Sequence, residues 1–314
     1  MTTHKLDPAP ETTADVFSPE HTPVLDIEPG DTVVVRSLDA LGYLARQTAP
    51  GQEQPKMFPA GRGHCLTGPI RVRGAEPGDT LALRLIDLRP DPWGWTTAAH
   101  LDTPVTRRLG IEKGPPGWLL WDLDPDAGRG TCNLGLSRQL GPFLGVMGLS
   151  PAEPGEHSTI PPRAACGGNI DCKELVAGST LYLPVCVPGA LLYLGDGHAA
   201  QGDGEVAGTA IECGMTTDLR LDLATEVPVP GVHAITPAAR ITFGFSSDLN
   251  TAMGDALDAM LTWLQQLLGV DRATALAAAS PAVDLRVTQV ANQTWGVHAV
   301  LPHNVMTGLP PAWP

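Results

Sequence analysis

The chain has 314 residues, of which 43% are apolar and 17% charged, and its net charge is −14 at pH 7. An acidic chain without a basic cluster is a poor partner for nucleic acid or for an anionic membrane surface, so we expect neither. No apolar run approaches the ~20 residues that a membrane-spanning helix needs, and the first residues lack the apolar core of a signal peptide, so we expect a cytoplasmic protein.

Glycine and proline are frequent, with 35 and 31 residues, and they follow no collagen-like period. Such a composition favours many short strands joined by tight turns, which predicts a mainly β fold. We expect residues 1–20 to form a flexible polar lead. No change of composition divides the rest, so residues 21–314 are predicted to form a single domain.

The same turn sequence, Glu-Pro-Gly-Asp-Thr, occurs at 28–32 and again at 76–80, each time before an alternating apolar run. Proline in the second position and glycine in the third suit a type II turn. Both copies are therefore predicted to lead into strands, within 27–35 and 74–88. The simplest interpretation is one common turn used twice.

Further apolar alternation predicts strands over 119–124, 179–187, 190–194 and 217–227, and near the C-terminus over 283–290 and 296–301. Helical periodicity is clear only over 251–269, with Asn250 as the N-cap and Gly269 as the stop. Its predicted apolar face consists of Met253, Leu257, Met260, Leu264 and Leu268. A second helix is predicted over 272–279, capped by Asp271.

Six cysteines are present and none forms a C-x-x-C pair. Zinc-ribbon and thioredoxin-like motifs are therefore not supported. Without a signal peptide, these cysteines are expected to be reduced thiols, mostly in the core.

The most informative stretch, residues 191–212, contains two Asp-Gly-X units, Asp196-Gly197-His198 and Asp203-Gly204-Glu205, with Gln201 between them. In an extended backbone, residues two apart point to the same face. Apolar runs flank the stretch, and buried carboxylates cost several kcal/mol unless they are paired or bound to metal. The pattern predicts a metal-assisted active site. A turn whose carboxylates cap backbone N–H groups is the alternative, and it stays open.

The chain resembles the acetamidase/formamidase family in its late helical segment and in four strings: GHCLTGPIRVRGAEPGDTL, LGVMGLSP, PPRAACGGNIDCKEL and GSTLYLPVCVPGALLYLGDGHAAQGDGEVAGTAIE. The similarity covers roughly residues 21–302, and the block 167–212 is its most specific part. It implies a mainly β fold, a jelly-roll or CUB-like β-sandwich with a C-terminal α+β portion containing one or two helices. It also implies a homo-oligomer that hydrolyses small aliphatic amides to a carboxylic acid and ammonia, with zinc as the expected metal and calcium as a further, structural ion.

The resemblance carries over a set of site positions: His64, Asn169, Asp171, Asp196, His198, Gln201, Asp203 and Glu205. We take His198 and Asp171 as metal ligands, completed by Asp196 or Asp203, with His64 as a further ligand although a lone histidine is more often structural. Glu205 is the expected general base and acid. Either the backbone N–H groups of 167–169 or the amide of Asn169 is expected to help hold the oxyanion, and Asn169 and Gln201 are placed with the catalytic residues.

Two other functions stay open. Cys166 and Cys172 depart from the family pattern, and either could be the nucleophile of a thiol amidase with His157 or His198 as its base. Alternatively, the acidic loops could bind calcium and a sugar or protein partner without catalysis, because β-sandwiches host many functions.

Overall fold

The computed structural model describes residues 1–98 and 102–308 of the chain. Within them, the helices are α1 Pro104–Leu109, α2 Leu249–Leu268 and α3 Arg272–Ala279. The strands in the same residues are β1 Thr3–Leu6, β2 Thr13–Ala14, β3 Val16–Phe17, β4 Leu25–Ile27, β5 Thr32–Ser37, β6 Leu66–Val72, β7 Thr80–Pro90, β8 Trp93–Ala98, β9 Gly117–Asp124, β10 Arg129–Cys132, β11 Ser137–Gln139, β12 Phe143–Leu149, β13 His157–Ser158, β14 Gly167–Asn169, β15 Thr180–Pro184, β16 Leu192–His198, β17 Glu212–Cys213, β18 Met215–Ala224, β19 His233–Ile235, β20 Ala239–Ser246, β21 Asp284–Gln289 and β22 Trp295–Pro302.

Two large sheets dominate the described part of the chain. A nine-stranded sheet has the order β1-β5-β18-β7-β15-β19-β20-β22-β21. An eleven-stranded sheet runs β11-β10-β9-β8-β17-β16-β12-β14, and β6 adds to it beside β16 with β2 and β4 as its own neighbours. A small two-stranded sheet pairs β13 with β3. The predicted mainly β fold is confirmed.

The main hydrophobic core lies between the two large sheets. It combines inward-facing side chains of the nine-stranded sheet, such as Leu83 and Leu219, with side chains of the eleven-stranded sheet, such as Met147 and Leu194. Alternate residues of each strand reach this layer. Each leucine buried there stabilises the fold by about 1.5–3 kcal/mol, because its side chain leaves water. Strands β12 and β16, which carry part of the candidate site, contribute side chains to this core.

The repeated turn has the same backbone conformation in both copies. Gly30 and Gly78 have φ values of 90° and 100°, as expected for the third position of a type II turn. Asp31 accepts a hydrogen bond from the backbone N–H of residue 28, and Asp79 accepts the corresponding bond from residue 76. Both turns open strands of the nine-stranded sheet, β5 and β7.

Helix α2 covers the outer face of β20 and β22. The helix and the strand are so close that a Cβ on Gly244 would lie 2.0 Å from the carbonyl oxygen of Ala252. The helix therefore buries small residues in its first turns, and the predicted member Met253 is 36% exposed. Met260 and Leu264 are buried, as predicted.

Both predicted helices are present, and Asp271 caps α3 by accepting from the backbone N–H of Thr274. The N-cap predicted for α2 is wrong, because Asp248 accepts from the N–H of Thr251 and Asn250 lies inside the first turn. No helix in the described ranges is long and apolar enough to cross a membrane.

The expectation of a flexible lead over residues 1–20 is corrected. Strand β1 pairs in parallel with β5, β2 pairs with β6, and β3 pairs with β13. Phe17 is 1% exposed and meets the ring of Tyr193 edge-on. Short polar segments gave no local sign of this, because the pairing partners lie far along the chain. That residues 21–314 form a single domain stays a prediction.

Candidate active site

Strand β16 carries the first Asp-Gly-X unit into the interior. All its residues are buried, and it lies between β17, β12 and β6. Asp196 and His198 are two apart at its end, and their side chains converge, with His198 Nε2 lying 3.5 Å from Asp196 Oδ1. The same-face prediction for this unit agrees with the structure.

The second unit does not behave like the first. The backbone turns over residues 202–205, where the N–H of Glu205 donates to the carbonyl of Gly202 at 3.2 Å, and the side chain of Glu205 is only 6% exposed. Asp203 instead pairs with Lys173 at 3.0 Å, and about a third of its side chain is exposed. The spacing rule fails here because it applies only to extended backbone.

Five buried side chains converge at His198, and we call them the His198 cluster: Asp171, Asp196, His198, Glu205 and Glu212. In one group, ligand atoms of Asp171, His198 and Glu205 all lie within 4.8 Å of one another. A second group at the same spacing combines Asp196, His198 and Glu212. Imidazole and carboxylate donors at this spacing could hold a metal ion.

Sequence reasoning missed Glu212. This residue lies in β17 between two buried apolar residues, and its Oε1 is 3.3 Å from His198 Nε2. The same oxygen accepts a hydrogen bond from the backbone N–H of Ala210 at 2.7 Å. An acidic residue inside the apolar run 210–215 was the available signal, because it predicts a buried charge with a partner.

The remaining predicted residues surround the cluster. His64 Nε2 lies 3.9 Å from Asp196 Oδ2. The Gln201 amide donates to the backbone carbonyl of Asp171 at 2.7 Å, and its oxygen lies 2.9 Å from His198 Nδ1. Gln201 is therefore placed to position the cluster. Asn169 donates from Nδ2 to the carbonyl of residue 160, while its Oδ1 has no hydrogen-bond partner among the described residues.

Backbone strain is concentrated at the cluster. Three of its residues have left-handed backbone conformations that are unusual outside glycine: Asp171 at φ 53°, Asp196 at 58° and Glu205 at 42°. Such conformations cost of order 1–3 kcal/mol each and persist where the surrounding structure enforces them, which is typical of functional sites. Here they aim three carboxylates at one point.

The electrostatics of the cluster differ from carboxylate to carboxylate. Burial, reinforced by the charge of Asp196, raises the pKa of Asp171 well above its usual value. Burial, together with the charge of Asp171, likewise raises the pKa of Glu205. Burial also raises the pKa of Glu212 to about 7, although His198 opposes this shift.

Two members keep their charge despite burial. Burial alone would raise the pKa of Asp196, but the charges of His198 and His64 outweigh it and lower that pKa. Burial would lower the pKa of His198, but Glu212 and Asp196 outweigh it and raise that pKa. The cluster thus places four carboxyl groups around one imidazole, whose single positive charge is too little to balance them.

Several buried atoms of the cluster have no hydrogen-bond partner among the described residues: both carboxylate oxygens of Asp171, Nε2 of His198, Oε2 of Glu205 and Oε2 of Glu212. An unpaired buried polar atom costs about 1–3 kcal/mol, and more when it is charged. A cation in their midst would satisfy them together. The donor set therefore fits a metal ion, without identifying which one.

A cavity of about 290 Å³ opens onto the cluster. Its polar wall includes Asn169, Asp171 and Glu205, and its apolar wall includes Trp95 and Ile160. This volume lies at the lower limit of ligand pockets, which suits a small molecule.

A β-sandwich with a strained, buried carboxylate–imidazole cluster at the base of a small cavity defines a candidate hydrolytic enzyme. The family model described as the acetamidase/formamidase family matches residues 2–154 and 149–307. The chain belongs to this family, as its resemblance predicted.

Individual relatives support the same family assignment. A Schizosaccharomyces pombe protein that bears the provisional name of a formamidase is 30% identical over 288 residues, which cover 71% of this chain and 70% of that protein. An acetamidase of Mycolicibacterium smegmatis is 30% identical over 220 residues, and the aligned part spans about half of each protein, 51% of this chain and 53% of the relative. The crystal structure of an acetamidase from Bacillus halodurans superposes with a TM-score of 0.84 at 28% identity, covering 95% of this chain and 97% of the other. The predicted enzyme class, an amide hydrolase, is confirmed at the level of the family.

Proposed function

We propose that the protein hydrolyses a small aliphatic amide, formamide or acetamide in type, to a carboxylic acid and ammonia, and that this activity depends on a metal ion. The observation that carries the proposal is the His198 cluster at the base of a cavity of about 290 Å³. Membership of the acetamidase/formamidase family supports the same reaction.

The metal would be held by His198, Asp171, Asp196 and Glu212. His64 is close enough to the cluster to be a further ligand. A mixture of imidazole and carboxylate donors favours zinc, whereas calcium prefers oxygen ligands alone. A bound zinc ion lowers the pKa of water to about 7 and polarises a carbonyl group.

Proton transfer is assigned to Glu205. Its side chain lines the cavity, its Oε2 has no partner in the described structure, and its pKa is raised by burial and by Asp171. In its ionised form, this carboxylate takes a proton from the attacking water and then gives it to the leaving amine. A raised pKa suits a group that must both accept and donate near neutral pH.

Substrate orientation is assigned to Asn169. We expected this residue at the oxyanion, but its free atom is the acceptor Oδ1, while Nδ2 already donates to the carbonyl of residue 160. We therefore propose that Asn169 accepts a hydrogen bond from the amide nitrogen of the substrate. The walls formed by Trp95 and Ile160 leave space for a short acyl chain.

The geometry gives less support to the thiol mechanism than to metal-dependent hydrolysis. Cys166 and Cys172 are buried, and the pKa of each thiol is raised, through contact with Cys186 and burial in the first case and through burial in the second. His157 contacts the backbone carbonyl of Glu153 at 2.8 Å. A buried, protonated thiol is a poor nucleophile. The homo-oligomeric state and the cytoplasmic location stay predictions from the sequence.

The test is ammonia release from formamide, acetamide and propionamide, with metal analysis of the same sample. In Glu205→Gln we expect kcat to fall by about 10²–10⁴-fold, the usual range for loss of general acid–base catalysis, while the metal is retained. Glu226→Gln changes an exposed carboxylate and is the matched control. Wild-type kcat in a metal-loaded Glu205→Gln protein would contradict the assignment, and activity that survives complete metal removal would contradict metal dependence.

A further inference from the structure

A second group of potential ligands lies outside the cavity that serves the His198 cluster. Ligand atoms of Cys172, Glu174 and His298 all lie within 4.8 Å of one another, and we call these residues the Cys172 group. Cys172 and His298 are each 0% exposed. None of the three has a role in the reaction proposed above.

The two carboxylate oxygens of Glu174 have different partners. Oε1 accepts from Arg286 at 3.0 Å. Oε2 lies 3.3 Å from Cys172 Sγ and 3.3 Å from His298 Nε2. One oxygen is thus held by a cation while the other faces a thiol and an imidazole, which is how a metal-binding carboxylate is commonly supported from behind.

His298 is also oriented as a ligand would be. Its Nδ1 lies 2.8 Å from the Thr288 hydroxyl. Its Nε2 is buried and meets no hydrogen-bond geometry with any described residue, although it faces Glu174. A histidine that uses one ring nitrogen in a hydrogen bond presents the other to a metal.

We propose that Cys172, Glu174 and His298 form a second metal site, which takes zinc or a chemically similar divalent ion. A thiolate, an imidazole and a carboxylate are ligands that zinc accepts, whereas calcium and magnesium prefer oxygen alone. Three protein ligands leave a fourth tetrahedral position for water. This proposal does not depend on the reaction proposed for the His198 cluster.

A route to the site exists. Glu174 lines a surface cleft of about 420 Å³ together with Arg138, Lys173 and Gln201. Its side chain is 16% exposed, so an ion in the cleft can reach the carboxylate first, whereas the other two ligands are fully buried. Lys173, the charged neighbour in sequence, is directed to Asp203 at 3.0 Å.

The position of this group gives it a structural consequence. Cys172 and Glu174 follow β14 of the eleven-stranded sheet, whereas His298 belongs to β22 of the nine-stranded sheet. A bound ion would therefore join the two sheets directly beside Asp171, whose side chain belongs to the His198 cluster. It would fix the segment that presents Asp171.

Cobalt substitution distinguishes the two sites, because the His198 cluster contains no sulfur ligand. The full-length protein, stripped of metal with a chelator, is titrated with Co²⁺ and followed by absorption. A thiolate ligand produces a sulfur-to-cobalt charge-transfer band in the near ultraviolet. We expect this band in the wild type, its loss in Cys172→Ser, and its retention in Cys213→Ser, which removes another buried thiol that belongs to neither group.

His298→Gln provides a second variant that keeps the thiol. We expect its charge-transfer band to require at least tenfold more Co²⁺. Absence of the band from the wild type at saturating Co²⁺ would overturn the proposal even if a variant failed to fold. A band that persists unchanged in Cys172→Ser would overturn it as well, since the sulfur would then belong to another cysteine and the Cys172 group would be an ion-pair network only.

Discussion

The Nδ1 atom of His198 lies 2.9 Å from the side-chain oxygen of Gln201. Because an amide oxygen can only accept, this contact requires a proton on Nδ1. The Gln201 orientation is itself fixed, since its nitrogen donates to the backbone carbonyl of Asp171 at 2.7 Å. The opposite ring nitrogen, Nε2, is thus directed toward Asp196 and Glu212, and in neutral His198 it is the nitrogen available to a metal.

Replacing Gln201 with methionine should weaken metal binding while preserving side-chain volume. The variant leaves Nδ1 of His198 and the carbonyl of Asp171 without partners, so the imidazole loses its fixed tautomer. Loss of such a supporting partner typically lowers metal affinity about 10–100-fold. Affinity is measured by dialysis against buffered zinc. Gln266→Met, at an exposed position of α2, is the control, and equal affinities in the two variants would contradict the positioning role.

Gly145 lies directly beneath the His198 cluster. A Cβ at this position would lie 2.3 Å from Asp196 Oδ2 and 2.7 Å from Asp171 Oδ1. The Gly145 carbonyl also accepts from the backbone N–H of Asp171 at 3.2 Å. Strand β12 can therefore approach the carboxylates only because this residue has no side chain.

Gly145→Ala should consequently reduce activity on the order of 10²-fold, since small misplacements of reacting groups can cost this much. Overpacking should lower the free energy of unfolding by about 1–3 kcal/mol. Amide hydrolysis and denaturant unfolding are measured on the same preparations. Gly141→Ala is the matched control, because nothing lies within 4 Å of a Cβ at that position. Equal losses of activity in both variants would show that the effect is not local to the cluster.

Local rules predicted much of the fold. Apolar alternation predicted β9, β15, β18, β21 and β22 and the first half of β16, and the two Glu-Pro-Gly-Asp-Thr turns and the capped helix α3 depend on residues close in sequence. The N-terminal strands could not be predicted in this way, because β1 acquires its order only by pairing with β5. The buried face of α2 was also hard to predict, because Gly244 of another element sets it.

The site residues likewise include some that local sequence predicts and some that it does not. Asp196 and His198 converge as their spacing in a strand predicted, although Asp196 has a left-handed backbone within β16. Asp203 and Glu205 have the same spacing but lie outside the strands, and spacing alone does not report whether a segment is part of a strand. Glu212 was missed because its importance comes from His198, 14 positions earlier in the chain and on the neighbouring strand.

Asp203 provides a direct test of this division. It was predicted as a ligand, yet its carboxylate pairs with Lys173 near the surface and belongs to neither potential metal-binding group. Asp203→Asn should therefore keep its metal content and change kcat by less than about twofold, with a stability loss below about 1 kcal/mol, as is usual for an exposed ion pair. Asp196→Asn, the same change inside the cluster, should lose metal. Comparable metal loss in the two variants would restore Asp203 as a ligand.

Glu212 should make the metal-free protein sensitive to pH. Burial raises its pKa in the folded state to about 7 from an ordinary value of 4.5. A carboxyl group with a raised folded pKa adds stability below its unfolded pKa, and this contribution is lost as the pH rises through the folded pKa. Between pH 5.5 and 8, the loss from this group should be about 2 kcal/mol.

Asp171 and Glu205 have shifts of the same sign, so they add to the loss at high pH. His64 acts oppositely, because burial lowers its pKa and its contribution is lost as the pH falls below about 6.5. Comparison with Glu212→Gln isolates the single group. In chelator, the free energy of unfolding from urea titrations should fall more steeply with pH in the wild type than in the variant, by about 2 kcal/mol over this interval. Parallel pH profiles would mean that the pKa of Glu212 is the same in the folded and unfolded states, so this carboxylate would already be ionised at pH 5.5 without a cation beside it, and the electrostatic case for a cation at the His198 cluster would be weaker.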